Sequence, residues 1–222
     1  MHPEGMELAP STKVGARASL IRRFFSEQLE FINIAKNYVS VRNFHDILDH
    51  LIFPVGSHGK LGGKSAGVFL AYRILLSLVE KESILANIKT PNTWYMTSDC
   101  LIHFMHYNNL DEMLEQKYKD IEEIQKEYPH VIQLFKNSHF PPDLIQSISM
   151  ALDDFGTKPL VVRSSSLLED RLGSAFSGKY KSLFIANQGT KQERLDALLD
   201  AIAEVYASTI GPAKSWGTQR RR

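Results

Sequence analysis

Cysteine is almost absent from this chain. A single thiol, Cys100, in 222 residues excludes an intrachain disulfide and a thiolate metal cluster, and fits a reducing compartment. An excess of either charge is also lacking. The 26 Lys and Arg against 25 Asp and Glu leave a formal net charge of +1, which gives no electrostatic case for a nucleic acid or an anionic membrane as partner. No apolar run approaches the roughly 18 residues of a membrane-spanning helix. The opening Met1-His-Pro-Glu-Gly-Met-Glu7 lacks the basic-then-apolar order of a secretory signal, so the cytoplasm is the expected location. Internal repeats and low-complexity tracts are missing too. What is there, 43% hydrophobic and 23% charged residues, is an ordinary globular composition with ample material for a core.

Residues 1–17 mix Pro, Gly, Ser and charge without periodicity and are expected to form a disordered leader. From Leu20 to Val39 the apolar residues Leu20, Ile21, Phe24, Phe25, Leu29, Ile32 and Ala35 fall near helical spacing. Phe44 to Phe53 reads as a short helix stopped by Pro54, and Lys64 to Val79 as a buried helix, apolar on nearly all sides. Thr90 to Ser98 is β-favouring and leads into a helix at Asp99. Residues 110–127 read as a charged amphipathic helix, with Glu115–Lys119 and Glu122–Lys126 as i,i+4 pairs. Pro142 begins the next helix and Gly156 ends it. Strands are predicted from Pro159 to Val162 and from Lys179 to Ala186. A last helix runs from Glu193 to Ser208, with Leu195, Leu198, Leu199, Ile202, Val205 and Tyr206 in one stripe. The alternation of helices and short strands makes the class α/β (α+β).

Two stretches about a hundred residues apart carry the chemistry. In Gly59-Lys-Leu-Gly-Gly-Lys-Ser-Ala-Gly67, glycines let backbone approach a ligand and Lys64 supplies a mobile charge at the start of a helix. The Walker pattern Gly-x-x-x-x-Gly-Lys-Ser fails on spacing, because its first glycine would fall on His58. A plain tight turn before a helix is the alternative. In the second stretch Arg163 ends an apolar strand and is followed by Ser164, Ser165 and Ser166. Alternation puts Val161 and Arg163 on one face, with Val162 and Ser164 on the other. An arginine there calls for an anion, or for an ion pair with Glu169 or Asp170. His103 and His106 sit i,i+3 on a helix without an evident third metal ligand, and His58 lies inside the glycine loop.

Val162-Arg-Ser-Ser-Ser-Leu-Leu-Glu-Asp170 followed by Ser174-Ala-Phe-Ser-Gly178 resembles the signature of the pyruvate phosphate dikinase and phosphoenolpyruvate synthase family. Leu61-Gly-Gly-Lys-Ser-Ala-Gly67 resembles its glycine loop. Thr90-Pro-Asn-Thr-Trp-Tyr-Met-Thr97 resembles an intervening strand, with Asn92-Thr93 where Pro-Gly is usual. The helix ending in Ala207-Ser208 resembles a fourth motif. The four stand in the family's order over roughly residues 50–212.

The resemblance implies the first part of an ATP-grasp-like nucleotide-binding domain. Residues 1–40 would form a leader and helical extension, 41–212 the ATP-binding domain, and 213–222 an atypical basic tail. Lys64 and Arg163 map onto the family's phosphate-contacting cations. Gly62, Gly63, Ser164, Ser165, Ser177 and Gly178 would complete the cofactor site, and residues 171–179 a loop over the phosphates. Glu169 and Asp170 would shape that loop. The cofactors implied are ATP and Mg2+, with magnesium ligands expected downstream of this chain, which reads as truncated or frame-shifted from about residue 213. Pyruvate and a phosphohistidine domain are the partners expected for the complete family reaction, in which ATP phosphorylates a carrier histidine. The alternatives are a dikinase module for another acceptor, or a non-catalytic interaction module that keeps the fold.

Overall fold

A computed structural model describes residues 9–79, 83–165 and 181–211. Among the described residues, eight α-helices and four short strands run in the order α1 (Pro10–Phe24), α2 (Leu29–Tyr38), α3 (Val41–Leu48), β1 (Leu51–Ile52), α4 (Gly63–Leu78), β2 (Tyr95–Met96), α5 (Asp99–Tyr107), α6 (Ile121–Lys136), α7 (Pro142–Phe155), β3 (Leu160–Arg163), β4 (Ser182–Ile185) and α8 (Lys191–Ile210). The 3-10 helices Ser83–Asn87 and Asp111–Tyr118 fill connections. The arrangement is helix-rich and consistent with the α/β class.

The described residues form two hydrophobic cores. The larger takes Cys100, Phe104 and Met105 from α5, Val131 and Phe135 from α6, and Leu144, Ile148 and Leu152 from α7, with Leu198 and Ile202 from α8. The smaller gathers Ile21 and Phe25 at the end of α1, Ile32 and Ala35 of α2, Phe44 and Ile47 of α3, and Leu61, Ala66 and Leu70 around the start of α4. Phe25 is its hub, with ring centroids 5.5 Å from Phe44 and 5.2 Å from Phe69. Strand alternation joins the two cores: Leu51 belongs to the smaller and its neighbour Ile52 to the larger. β1 pairs in parallel with β2, Leu51 opposite Tyr95 and Ile52 opposite Met96.

β3 and β4 form an antiparallel pair with Val161 opposite Phe184 and Arg163 opposite Ser182. Leu160, Val162 and Ile185 turn toward the larger core, while Val161, Arg163 and Phe184 lie on the exposed face, the alternation the sequence predicts. α7 starts on Pro142 and stops at Gly156, whose φ of 61° suits glycine.

Several elements differ from the sequence reading. Residues 10–17, read as leader, are the first half of α1, which is held by burying Ile21 and Phe25 rather than by its own weak periodicity. The smaller core runs across residue 40, so the N-terminal helices and the glycine-loop helix pack as one unit. The helix predicted over 44–53 ends at Leu48, and Leu51–Ile52 leave it for β1. The helix predicted over 110–127 divides at Lys119–Asp120, and α6 continues through Pro129 to Lys136. α4 is only half-covered: Val68, Leu76 and Leu78 are exposed. α8 begins at Lys191 because Thr190 and Glu193 form a capping box, the Thr190 hydroxyl taking the Glu193 N–H and the Glu193 carboxylate the Thr190 N–H.

Candidate nucleotide-phosphate site

The loop from Ser57 to Gly62 joins β1 to α4, and its backbone is held by side chains of α1 and α5. Asp99, the first residue of α5, accepts hydrogen bonds from the amides of His58 at 3.0 Å and Gly59 at 2.9 Å. It accepts two more from the hydroxyls of Ser57 at 3.0 Å and Thr97 at 2.5 Å. Partial burial pushes its pKa upward, but the bonds from Thr97, Ser57 and Gly59 together outweigh this and hold the carboxyl below its ordinary value. On the other side Arg23 of α1 donates to the carbonyls of Ser57 at 2.5 Å and Gly59 at 3.0 Å. The next residues are pinned in turn: Ser98 N–H to the Lys60 carbonyl at 3.2 Å, and Leu61 N–H to the Phe24 carbonyl at 2.8 Å. Lys60 pairs with Glu27 at 2.6 Å. A Cβ on Gly59 would strike the Asp99 carboxylate and stand 2.9 Å from the Thr97 Cβ, so only glycine lets the loop lie this close.

The loop delivers the chain into α4 with Gly62 as its N-cap. Glycine has no side chain to satisfy the open amides of the first turn, and the missing cap comes from the second motif. Ser165 Oγ accepts from the Ser65 amide at 2.8 Å and from the Ser65 hydroxyl at 3.0 Å. A Cβ on Gly62 would fall on the backbone carbonyl of Ser165. The two motifs therefore touch, backbone against backbone, across a hundred residues of sequence. Lys64 stands in this first turn, half-buried. Arg163 stands at the end of β3, exposed, two residues before Ser165, with Ser164 half-buried between them.

Of the residues singled out from sequence, Gly62, Gly63, Lys64, Arg163, Ser164 and Ser165 lie in or beside this junction. Ser166, Glu169, Asp170, Ser177, Gly178 and the 171–179 loop lie outside the described residues. His58 takes part through its amide, with its side chain exposed. His103 faces Asp143 at 3.2 Å and His106 faces Asp111 at 2.5 Å, each with its own carboxylate rather than sharing a site. Among the described residues no three His, Cys, Asp or Glu side chains gather as a metal site. Asp99 is committed to four donors, so the described residues do not offer a fit for a protein-held Mg2+. Among the described residues no helix is long and apolar enough to cross a membrane. Asp99 and Arg23 are the residues that sequence reasoning missed. Thr97-Ser-Asp99 at a strand-to-helix turn was the available signal for the first, whereas Arg23 gives none.

The glycine loop and the end of the Arg163 strand meet at Ser165, and residues 58–214 match the family model of the pyruvate phosphate dikinase AMP/ATP-binding domain. The chain belongs to this family. A phosphoenolpyruvate synthase of Aquifex aeolicus (strain VF5) is 26% identical over 132 residues, which cover 54% of this chain and 14% of that protein. This chain thus spans a small part of the relative's length. No solved structure matches it. As a pyruvate phosphate dikinase-type AMP/ATP-binding domain, the chain is a nucleotide-binding module. The family match opens at His58, inside the clamped loop, while α1, α2, α3 and β1 precede it.

Proposed function

We propose that this chain holds the phosphates of ATP at the junction of its two motifs, as the nucleotide-binding part of a phosphoenolpyruvate synthase- or pyruvate phosphate dikinase-like phosphotransferase. The observation that carries the reading is the contact of Gly62 and Ser65 with Ser165, which sets the α4 N-terminus beside the end of the Arg163 strand. Amides at the start of α4 and its dipole favour an anion there. Lys64 adds a point charge and Arg163 a planar fork, and phosphoryl transfer needs mainly such positioning and charge neutralisation. Ser165 Oγ accepts two hydrogen bonds, so both its lone pairs are used and its own proton remains to donate, a valence that suits a phosphate oxygen. Gly62 and Gly63 add no bulk to this approach. Ser164, Ser177 and Gly178 are assigned to the same site by the family motif.

An ATP-grasp-like architecture belongs to this proposal, as do Mg2+ arriving with the nucleotide, a phosphohistidine domain, pyruvate as final acceptor and a cytoplasmic setting. We assign no protein ligand for Mg2+ among the described residues.

The test is calorimetric titration of Mg-ATP into the 222-residue chain and its Lys64→Ala and Arg163→Ala variants. Each cation removed from a phosphate should cost about 1.5–3 kcal/mol, roughly a 10- to 150-fold loss of affinity, with the melting temperature held. Variants that melt lower yet bind Mg-ATP as well as the parent would show that the two cations serve the fold instead. The parent failing to bind would remove the reading for this chain.

A further inference from the structure

The family match begins at His58, yet the loop it opens with is gripped by a residue that lies before it in sequence. Arg23 belongs to α1, and its guanidinium takes both loop carbonyls, those of Ser57 and Gly59. Asp99 takes the loop amides of His58 and Gly59. Gly59 is therefore held at both ends, its N–H by a carboxylate and its C=O by a guanidinium. We propose that Arg23 is a positioning residue for the phosphate-binding loop, acting with Asp99 as a two-sided clamp that fixes the backbone leading into Lys64. The proposal rests on the nucleotide reading above for its functional consequence, though not for the clamp itself.

First, the grip is anchored: Arg23 lies over the Phe24 ring, 5.3 Å from its centroid, and the adjoining Phe25 is fully buried against Phe69 of α4. The base of the clamp and the helix that follows the loop thus share one core. Second, the charges are matched. A lone carboxylate beside a phosphate site would repel the ligand, but here Asp99 is turned to four donors of Ser57, His58, Gly59 and Thr97, and Arg23 brings a positive charge to the carbonyls of the same loop. Third, a glycine-rich loop is costly to order on binding, and an arginine and an aspartate that fix it beforehand remove that cost from the binding step.

Arg23→Ala, Arg23→Lys and Asp99→Ala in the full chain test this with two readouts. Amide hydrogen exchange of His58, Gly59 and Leu61 reports the loop directly, with or without nucleotide. Titration of Mg-ATP beside adenosine separates a phosphate effect from a general loss of fold. The expected result is exchange at least tenfold faster in the loop of Arg23→Ala with α8 unchanged, and at least tenfold weaker Mg-ATP binding with adenosine unaltered. Arg23→Lys should fall between, and the Arg23→Ala/Asp99→Ala double variant should lose less than the sum of the singles, because both act on the same peptide groups. Unchanged loop exchange in Arg23→Ala would overturn the clamp. Equal weakening of Mg-ATP and adenosine together with a lower melting temperature would overturn it too, assigning Arg23 to packing. Faster loop exchange in a chain whose parent binds no Mg-ATP would uphold the clamp and overturn the nucleotide reading separately.

Discussion

Replacing Gly62 by alanine tests the contact on which the site is built. The backbone at Gly62, φ −71° and ψ 166°, is one that alanine adopts without strain, so any loss must come from the added methyl. That methyl would land on the Ser165 carbonyl, and a backbone atom cannot swing aside as a side-chain end can. The first turn of α4 and residues 164–165 must then separate, breaking the 2.8 Å and 3.0 Å hydrogen bonds to Ser165 Oγ. Two such bonds contribute about 1 kcal/mol each. Overpacking adds about 1–3 kcal/mol, and the stiffer unfolded chain returns about 0.4–1 kcal/mol. The net is roughly 2–4 kcal/mol, equivalent to a melting temperature lower by about 4–16 °C for a chain of this size. Differential scanning calorimetry measures the first consequence and Mg-ATP titration the second. Ser165→Ala is the control: it removes the cap without the clash, at a cost of about 0.5–2 kcal/mol. A Gly62→Ala protein that melts within about 1 °C of the parent and binds Mg-ATP equally would refute the proposition that the two motifs touch.

Two further outcomes are expected. Asp99 has its folded pKa depressed below 3.8, so its contribution to stability is present above that value and lost as pH falls through the lower folded pKa. Melting curves between pH 6 and pH 2.5 should therefore fall more steeply for the parent than for Asp99→Asn at the acid end, and parallel curves would contradict the loop assignment. Cys100 is fully buried, and burial, partly offset by the Thr97 hydroxyl, pushes its thiol up to about 11. A thiol reagent at pH 8 should label it slowly in the native protein and fully in denaturant; equally fast labelling in both would mean that the larger core is open.

The sequence alone determined the features whose cause is local. Pro142 and Gly156 bracket α7 because a fixed φ starts a helix and a left-handed residue stops one. The apolar stripe of α8 and the alternation of Val161 and Arg163 against Val162 follow from helical and strand periods. The two motifs could be recognised for the same reason, since their glycines, hydroxyls and cations are contiguous, and they pointed to the right family. Tertiary structure decided the rest. Leu51 and Ile52 read as the end of a helix because β1 acquires its identity only from Tyr95 and Met96, more than forty residues on. Residues 10–17 read as a leader because α1 carries no strong stripe of its own and is held by what Ile21 and Phe25 bury. Arg23 and Asp99 meet the same three-residue stretch of loop from 34 to 42 residues away. Hydrogen bonds from side chains to a distant backbone leave no period and no motif in the chain, so only the packing of α1 and α5 around the loop reveals them.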